Sequence, residues 1–181
     1  MKLIIGLGNP GERFDNTRHN VGYMVLDAYL GDINWKKETF AYSYKTKINN
    51  EDVLFIKPTT YMNLSGIAVS HYVKYFKIEL DDILVIHDDM DLDVGVVRIK
   101  KDSSSGGHNG VKDLIFKLHS QDFMRLKVGI AKPENDVVNY VLTKFNDKEK
   151  TLIDDAIEKS KNIIDDFINN ETLERLMNKY N

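Results

Sequence analysis

Five short stretches of the chain carry side chains able to do acid–base or carbonyl chemistry: Asn9 in "GNPG", His19 in "NTRHNVG", Asn63 in "TTYMNLSG", Asp88 in "IHDDMD" and Asn109 in "SSSGGHNG". A histidine beside an aspartate is the smallest general-base unit, because the carboxylate fixes the tautomer and favours the imidazolium formed when water gives up a proton. Cysteine is absent and no serine sits in a G-x-S-x-G context, so water is the expected nucleophile. Asparagine carboxamides, each donor and acceptor, suit a peptide backbone or an ester carbonyl and can stabilise an oxyanion. Singly, each residue has an ordinary reading. Asn9 before Pro10 can make an Asx-turn, Asn63 and Asn109 can shape helix entries, His19 can be a surface-loop histidine and Asp88 a strand-end solubiliser. Convergence on one cleft is what would turn them into a site.

The elements that would bring them together alternate between strand and helix. Leu3–Leu7 is a continuous apolar run suited to a buried strand, and Val21, Met24, Val25, Ala28 and Tyr29 recur at helical spacing. Tyr42–Ile48 and Val53–Ile56 flank "NNED", a hairpin signal. A second helix is expected after "TTYMNLSG", capped by Ser65, with Ala68, Tyr72, Val73 and Phe76 on one face. Ile83–Ile86 reads as a buried strand that Asp88 follows, then come a strand over Val94–Lys100, a Ser/Gly loop over 102–109, a helix from about Gly110 to Leu118 and a strand over Arg125–Ile130. From Asp147 the chain is an amphipathic helix with Leu152, Ile153, Ala156, Ile157, Ile163, Ile164, Phe167 and Ile168 inward. These features predict an α/β fold, a single domain over residues 1–181 with a twisted mixed β-sheet flanked by helices. Loops leaving neighbouring strand ends of such a sheet converge, which is where open α/β folds place their ligands.

Two motifs imitate other chemistries. "GLGNPG" has the G-x-G-x-x-G spacing of a dinucleotide cradle, but that cradle needs a helix starting inside the motif. Here the glycines run into a turn and then into the polar "ERFDNTRHN", the helix begins only near Asn20, and no ribose-binding acid follows at the required distance. Asp89–Gly95 imitates a calcium loop, yet its glycine falls one position late and Lys100 stands where the final glutamate belongs. His19, His87 and His108, read as loop residues, lack the i, i+4 pairing of a helical zinc site, so no metal is expected.

The 181 residues include no cysteine and carry a net charge of −3. No apolar stretch approaches the roughly 20 residues of a membrane span, and the short apolar N-terminal run is no signal peptide, so a cytoplasmic protein is expected. The charge is uneven: from Glu134 onward there are 11 acidic and 7 basic residues, against 17 and 18 before it, so an acidic C-terminal segment masks a mildly basic body. In "VGVVRIKK" Arg98 and Lys100 alternate with apolar residues, as do Arg125 and Lys127 in "MRLKVGI". Such stripes read either as a phosphate track or as the solvated face of a half-buried sheet.

Five blocks, "LIIGLGNPGERFDNTRHNVGY", "KPTTYMNLSG", "ILVIHDDMDLDVGVVRIK", "GGHNGVKDLI" and "RLKVGI", occur together in the order and spacing of bacterial peptidyl-tRNA hydrolases, which the chain resembles along nearly its whole length. The resemblance implies an enzyme that hydrolyses the ester between a peptide and the 3′ ribose of tRNA, monomeric, without metal or other cofactor, and with peptidyl-tRNA as its partner. It assigns His19 as the general base and Asp88 as the residue that orients it, with Asn9 holding substrate or water and helping to reject a free amine. It places Asn63 and Asn109 on the peptide backbone and the tRNA end, Tyr61 and Met62 along the groove, and Arg98, Lys100 and Lys127 on tRNA phosphates. The "SSSGGHNG" segment corresponds to the family's mobile glycine-rich loop. Phe14 stands where relatives often have tyrosine; it can stack but has no hydroxyl to hydrogen-bond. The alternative is a non-catalytic RNA-binding protein on the same fold, like the chloroplast splicing relatives of the family; intact Asn9, His19 and Asp88 argue for the enzyme.

Overall fold

The computed structural model describes residues 1–181 and contains seven strands in one mixed sheet, ordered β2-β3-β4-β1-β5-β7-β6. The strands are β1 (Lys2–Gly6), β2 (Lys36–Lys37), β3 (Ala41–Ile48), β4 (Glu51–Pro58), β5 (Ile83–Asp89), β6 (Val97–Lys101) and β7 (Met124–Gly129). The helices are α1 (Val21–Leu30), α2 (Ser65–Phe76), α3 (Asn109–Leu118), α4 (Val137–Tyr140), α5 (Asp147–Ile168) and α6 (Leu173–Tyr180). No helix is long and apolar enough to cross a membrane.

The central strand β1 is buried at every residue, as its unbroken apolar run requires, and pairs in parallel with both β4 and β5. The β3–β4 hairpin closes through Asn49 and Asn50, both at positive φ, the backbone that matches a two-residue turn to strand twist. One face of the sheet is covered by α1, α5 and α6, the other by α2 and α3. Leaving β1 the chain crosses to one face through α1, and leaving β4 it crosses to the opposite face through α2. A crevice therefore opens at the carboxyl end of β1, beside that of β5.

The glycines of "GLGNPG" serve this packing. A Cβ on Gly6 would lie 2.4 Å from the carbonyl oxygen of Gly22, and one on Gly8 would lie 2.6 Å from the Tyr23 ring, so both let α1 lie directly on β1.

Several boundaries differ from the sequence reading. A 3-10 turn, Met62–Leu64, precedes α2, so Ser65 is its first residue instead of its cap, its hydroxyl donating to the Met62 carbonyl at 2.9 Å. Strand β6 starts at Val97 because Gly95, at φ 83°, turns the preceding residues. Asp88 and His87 lie within β5, which runs beyond the apolar Ile83–Ile86. Helix α5 starts in a capping box between Asn146 and Glu149, and Leu152, expected to face inward, stays 43% exposed at the margin of its stripe. The two-residue β2 and the single turn of α4 are too short to leave a periodic signal.

Candidate active site

A cleft of about 350 Å³ opens at the ends of β1 and β5. Asn9, His19, Tyr61, Met62, Asn63, Asp88 and Asn109 all line it, so seven residues from the five separate stretches meet in one cleft. The segment after α4 and the turn of α4 itself add an apolar wall of Val137, Val138, Val141 and Leu142.

Asp88 is 2% exposed and spends both carboxylate oxygens on histidines: Oδ2 lies 2.9 Å from His19 Nδ1 and Oδ1 lies 2.8 Å from His108 Nε2. The partners assign the protons. An ionised carboxylate only accepts, so His19 donates through Nδ1, which leaves Nε2 as the lone-pair nitrogen of a ring that lines the cleft. His108 donates through Nε2, while its Nδ1 accepts the Val111 amide at 3.2 Å as the cap of α3, a pattern only the neutral imidazole satisfies. Behind them His87, also drawn off the loops into the sheet, donates from Nδ1 to the Asp88 carbonyl at 2.7 Å; burial holds its pKa well below the ordinary value. Of the three imidazoles, His19 alone presents a basic nitrogen to the cleft.

Burial pulls the His19 imidazole down, but the charge of Asp88 and the hydrogen bond to it outweigh that and hold its pKa above 6.5. Burial likewise opposes the Asp88 charge, yet the facing His19 and His108 rings keep the carboxyl well below the usual carboxylate range. The pair is thus a carboxylate that stays ionised and an imidazole made more basic by it. His19, Asp88 and His108 also lie close enough for their ligand atoms to share an ion, but the ring nitrogens that face Asp88 are the ones carrying protons to it, so coordination would require both to give up those protons.

Asn9 is positioned by a residue the sequence reading did not single out. Asn20 clamps its backbone from both sides, Nδ2 donating to the Asn9 carbonyl at 2.9 Å and Oδ1 accepting the Asn9 amide at 2.8 Å. The Asn9 side-chain oxygen accepts the Met62 amide at 2.7 Å, which leaves its amide nitrogen as the donor available to a carbonyl in the cleft. Both asparagines are buried, at 7% and 1% exposure, so the clamp works where water competes little. The sequence offered one hint: Asn20 directly follows His19 and precedes α1.

The turn that carries His19 is fastened to the C-terminal part of the chain. Arg18, 7% exposed, grips Glu149 with both terminal guanidinium nitrogens at 2.7 and 2.9 Å, donates from Nε to Thr143 at 3.0 Å, and lies over the rings of Tyr140 and Phe145. The backbone amides of Arg18 and His19 donate to Thr143 and Val141 at 2.9 and 2.8 Å. One cluster therefore holds the histidine and the apolar wall together. Replacing Glu149 with alanine strands a buried guanidinium and is expected to destabilise the protein by about 3 kcal/mol, a fall of roughly 6–12 °C in Tm. The Arg18 hydrogen bond holds the Glu149 pKa below 4.5, so this stabilisation is complete above pH 4.5 and fades as pH drops through the lower folded value. Thermal melts of wild type and variant across that window check both statements.

Phe14 lies outside the cleft lining; its ring meets that of Tyr61 edge-on at 6.5 Å and is covered by the Arg13 guanidinium at 4.5 Å. Arg98, Lys100 and Lys127 lie on the sheet face covered by α3, since their neighbours Val97, Ile99, Leu126 and Val128 point into the core on the other face. Arg125 corrects the two-cation stripe expected on β7. It is 0% exposed and holds the Ser/Gly loop through Ser103 Oγ and the Ser104 carbonyl, each at 2.8 Å, so it anchors that loop instead of facing solvent. The Asp89 carboxylate, in the calcium-like stretch, accepts the Asp91 amide at 2.8 Å and pairs with Lys127 at 3.7 Å.

An imidazole held by a buried carboxylate, with a carboxamide donor beside it at a strand end of an α/β sheet, is the apparatus of a general-base hydrolase. The chain belongs to the peptidyl-tRNA hydrolase family, whose profile matches residues 3–181. Curated peptidyl-tRNA hydrolases from Lactobacillus acidophilus and Mycoplasma capricolum are 49% and 46% identical to it, each aligned over 100% of both chains. The crystal structure of peptidyl-tRNA hydrolase from Acinetobacter baumannii superposes with a TM-score of 0.94 at 33% identity, covering 100% of this chain and 94% of that one.

Proposed function

We propose that this chain hydrolyses the ester joining a peptide, or an N-blocked aminoacyl group, to the 3′ ribose of tRNA. The observation that carries the mechanism is the His19–Asp88 pair with its free Nε2 in the same cleft as Asn9. In this reading His19 Nε2 removes a proton from water as the oxygen attacks the ester carbonyl, and Asp88 stabilises the imidazolium that results. Asn9, through its free amide nitrogen, donates to the carbonyl as it gains negative charge. The proton then passes from His19 to the departing ribose hydroxyl. Asn63 and Asn109 engage the peptide backbone and the RNA end, with Tyr61, Met62 and Phe14 lining or flanking the path. Contacts to backbone instead of side chains explain how one site would accept many peptides, and a polar contact at the blocked amine would disfavour a charged ammonium.

Arg98, Lys100 and Lys127 take tRNA phosphates in this reading. Lys127→Ala is expected to weaken tRNA binding and lower the slope of log affinity against log salt by about one; an unchanged slope removes Lys127 from the phosphate contacts. Residues 1–181 act as one unit, a monomer working in the cytoplasm where tRNA is found, with no cofactor. The deciding experiment offers the protein N-acetyl-aminoacyl-tRNA and free aminoacyl-tRNA and measures released tRNA. Release from the acetylated substrate is expected; binding with no release from either would reduce the chain to an RNA-binding protein.

A further inference from the structure

A second depression, of about 330 Å³, adjoins the cleft and is lined by Asn63, Asn109, Lys112, Asp113 and Phe116. Asn63 and Asn109 line both cavities, so the two lie side by side. Helix α3 buries Val111 and Leu114 against the sheet and turns Phe116 outward, where the residue is 71% exposed. Lys112 lies one helical turn before Phe116, on the same side, and makes no ion pair. The acid between them is neutralised. Asp113 accepts the Gly66 amide and the Lys117 ammonium, each at 2.8 Å, and Lys117 also lies 5.8 Å from the Phe116 ring centroid. What the groove offers a ligand is an open aromatic face, a free cation and two carboxamides.

We infer that this groove is a nucleotide subsite, in which Phe116 stacks a base and Lys112 contacts a phosphate of the unpaired 3′ end of the RNA, next to the esterified nucleotide. The inference rests on the function proposed above. A flat ring flanked by cations is the usual platform for single-stranded nucleic acid, because every base has a face to stack. Two further observations choose RNA over peptide as the occupant. The groove lies on the face of the sheet that carries Arg98, Lys100 and Lys127, the cations assigned above to tRNA phosphates. The apolar surface suited to peptide side chains, Val137 to Leu142, forms a different wall of the cleft, on the segment bonded to the His19 turn.

The test uses the full chain and three substrates: N-acetyl-aminoacyl-tRNA, the same tRNA carrying an N-acetylated tetrapeptide, and an N-acetyl-aminoacyl ester of adenosine alone. Phe116→Ala is expected to raise KM roughly tenfold for both tRNA substrates with kcat unchanged, leave the adenosine ester unaffected, and be rescued by Phe116→Trp. Lys112→Ala is expected to lower the salt slope of tRNA binding by about one. A defect that appears only with the tetrapeptide assigns the groove to peptide and overturns the proposal, as does a Phe116→Ala enzyme equal to wild type on all three. Binding of uncharged tRNA separates this proposal from the hydrolase reading. Phe116→Ala should weaken binding of intact tRNA, but not of tRNA trimmed of its unpaired 3′ nucleotides, whether or not the wild type cleaves any ester; equal effects on both overturn the subsite.

Discussion

His19→Ala is expected to lower the single-turnover rate on N-acetyl-aminoacyl-tRNA by about 10²-fold or more while leaving tRNA affinity within a few-fold of wild type. The size follows from what is removed. Neither of the other two histidines near the site can substitute, because His108 has Nε2 committed to Asp88 and Nδ1 committed to the Val111 amide, and His87 is sealed behind them. Loss of the base leaves Asn9 and the binding contacts in place, so binding should persist where chemistry fails. Rapid-mixing measurement at saturating enzyme reads the chemical step directly; near-normal turnover would take the base role away from His19.

The second large effect belongs to Asp88→Asn, and it changes the pH profile as well as the rate. The asparagine amide, turned toward His19 Nδ1, donates where the carboxylate accepts; it therefore favours the tautomer with its proton on Nε2, the wrong nitrogen for a base. A fall of about 10²-fold or more is expected. The working form of His19 is neutral, so activity falls as pH drops through its pKa. In the wild type that limb lies above 6.5, because the charge and hydrogen bond of Asp88 outweigh burial. With the charge gone only burial remains, so the acid limb of kcat/KM should move below 6.5 in the variant. A variant that loses rate but keeps the wild-type limb would show that the pKa of His19 is set elsewhere. The same linkage acts on stability with the opposite sense. A raised His19 pKa stabilises the folded state fully below pH 6.5, and that contribution disappears as pH rises through the folded value.

Much of this site could be read from the chain itself. Asn9, His19, Asp88, Asn63 and Asn109 stand in loops or at element ends, where short-range composition reveals a polar group held by turn residues or a strand boundary. The buried strands are legible because a segment covered on both faces must be apolar throughout, as Leu3, Ile4 and Ile5 are, all at 0% exposure. The failure of "GLGNPG" as a nucleotide cradle was legible too, because the helix it needs starts too late; the structure adds that Gly6 and Gly8 admit α1 onto β1.

What stayed hidden involves partners distant in sequence. Arg125 has the alternating pattern of an exposed cation, but the Ser/Gly loop folds over it and makes it a buried anchor. His108 gave no sign of being the second hydrogen-bond donor to Asp88, because their meeting depends on where the N-terminus of α3 lands relative to β5. Arg18 and Glu149, 131 residues apart, join only because α5 packs on the same face as α1. The chain alone therefore determined which residues could do the chemistry and which strands would be buried, since both follow from side-chain type and local period. The tertiary structure decided protonation, orientation and charge pairing. Strand order and helix placement bring those partners together across the sheet, and no local pattern records them.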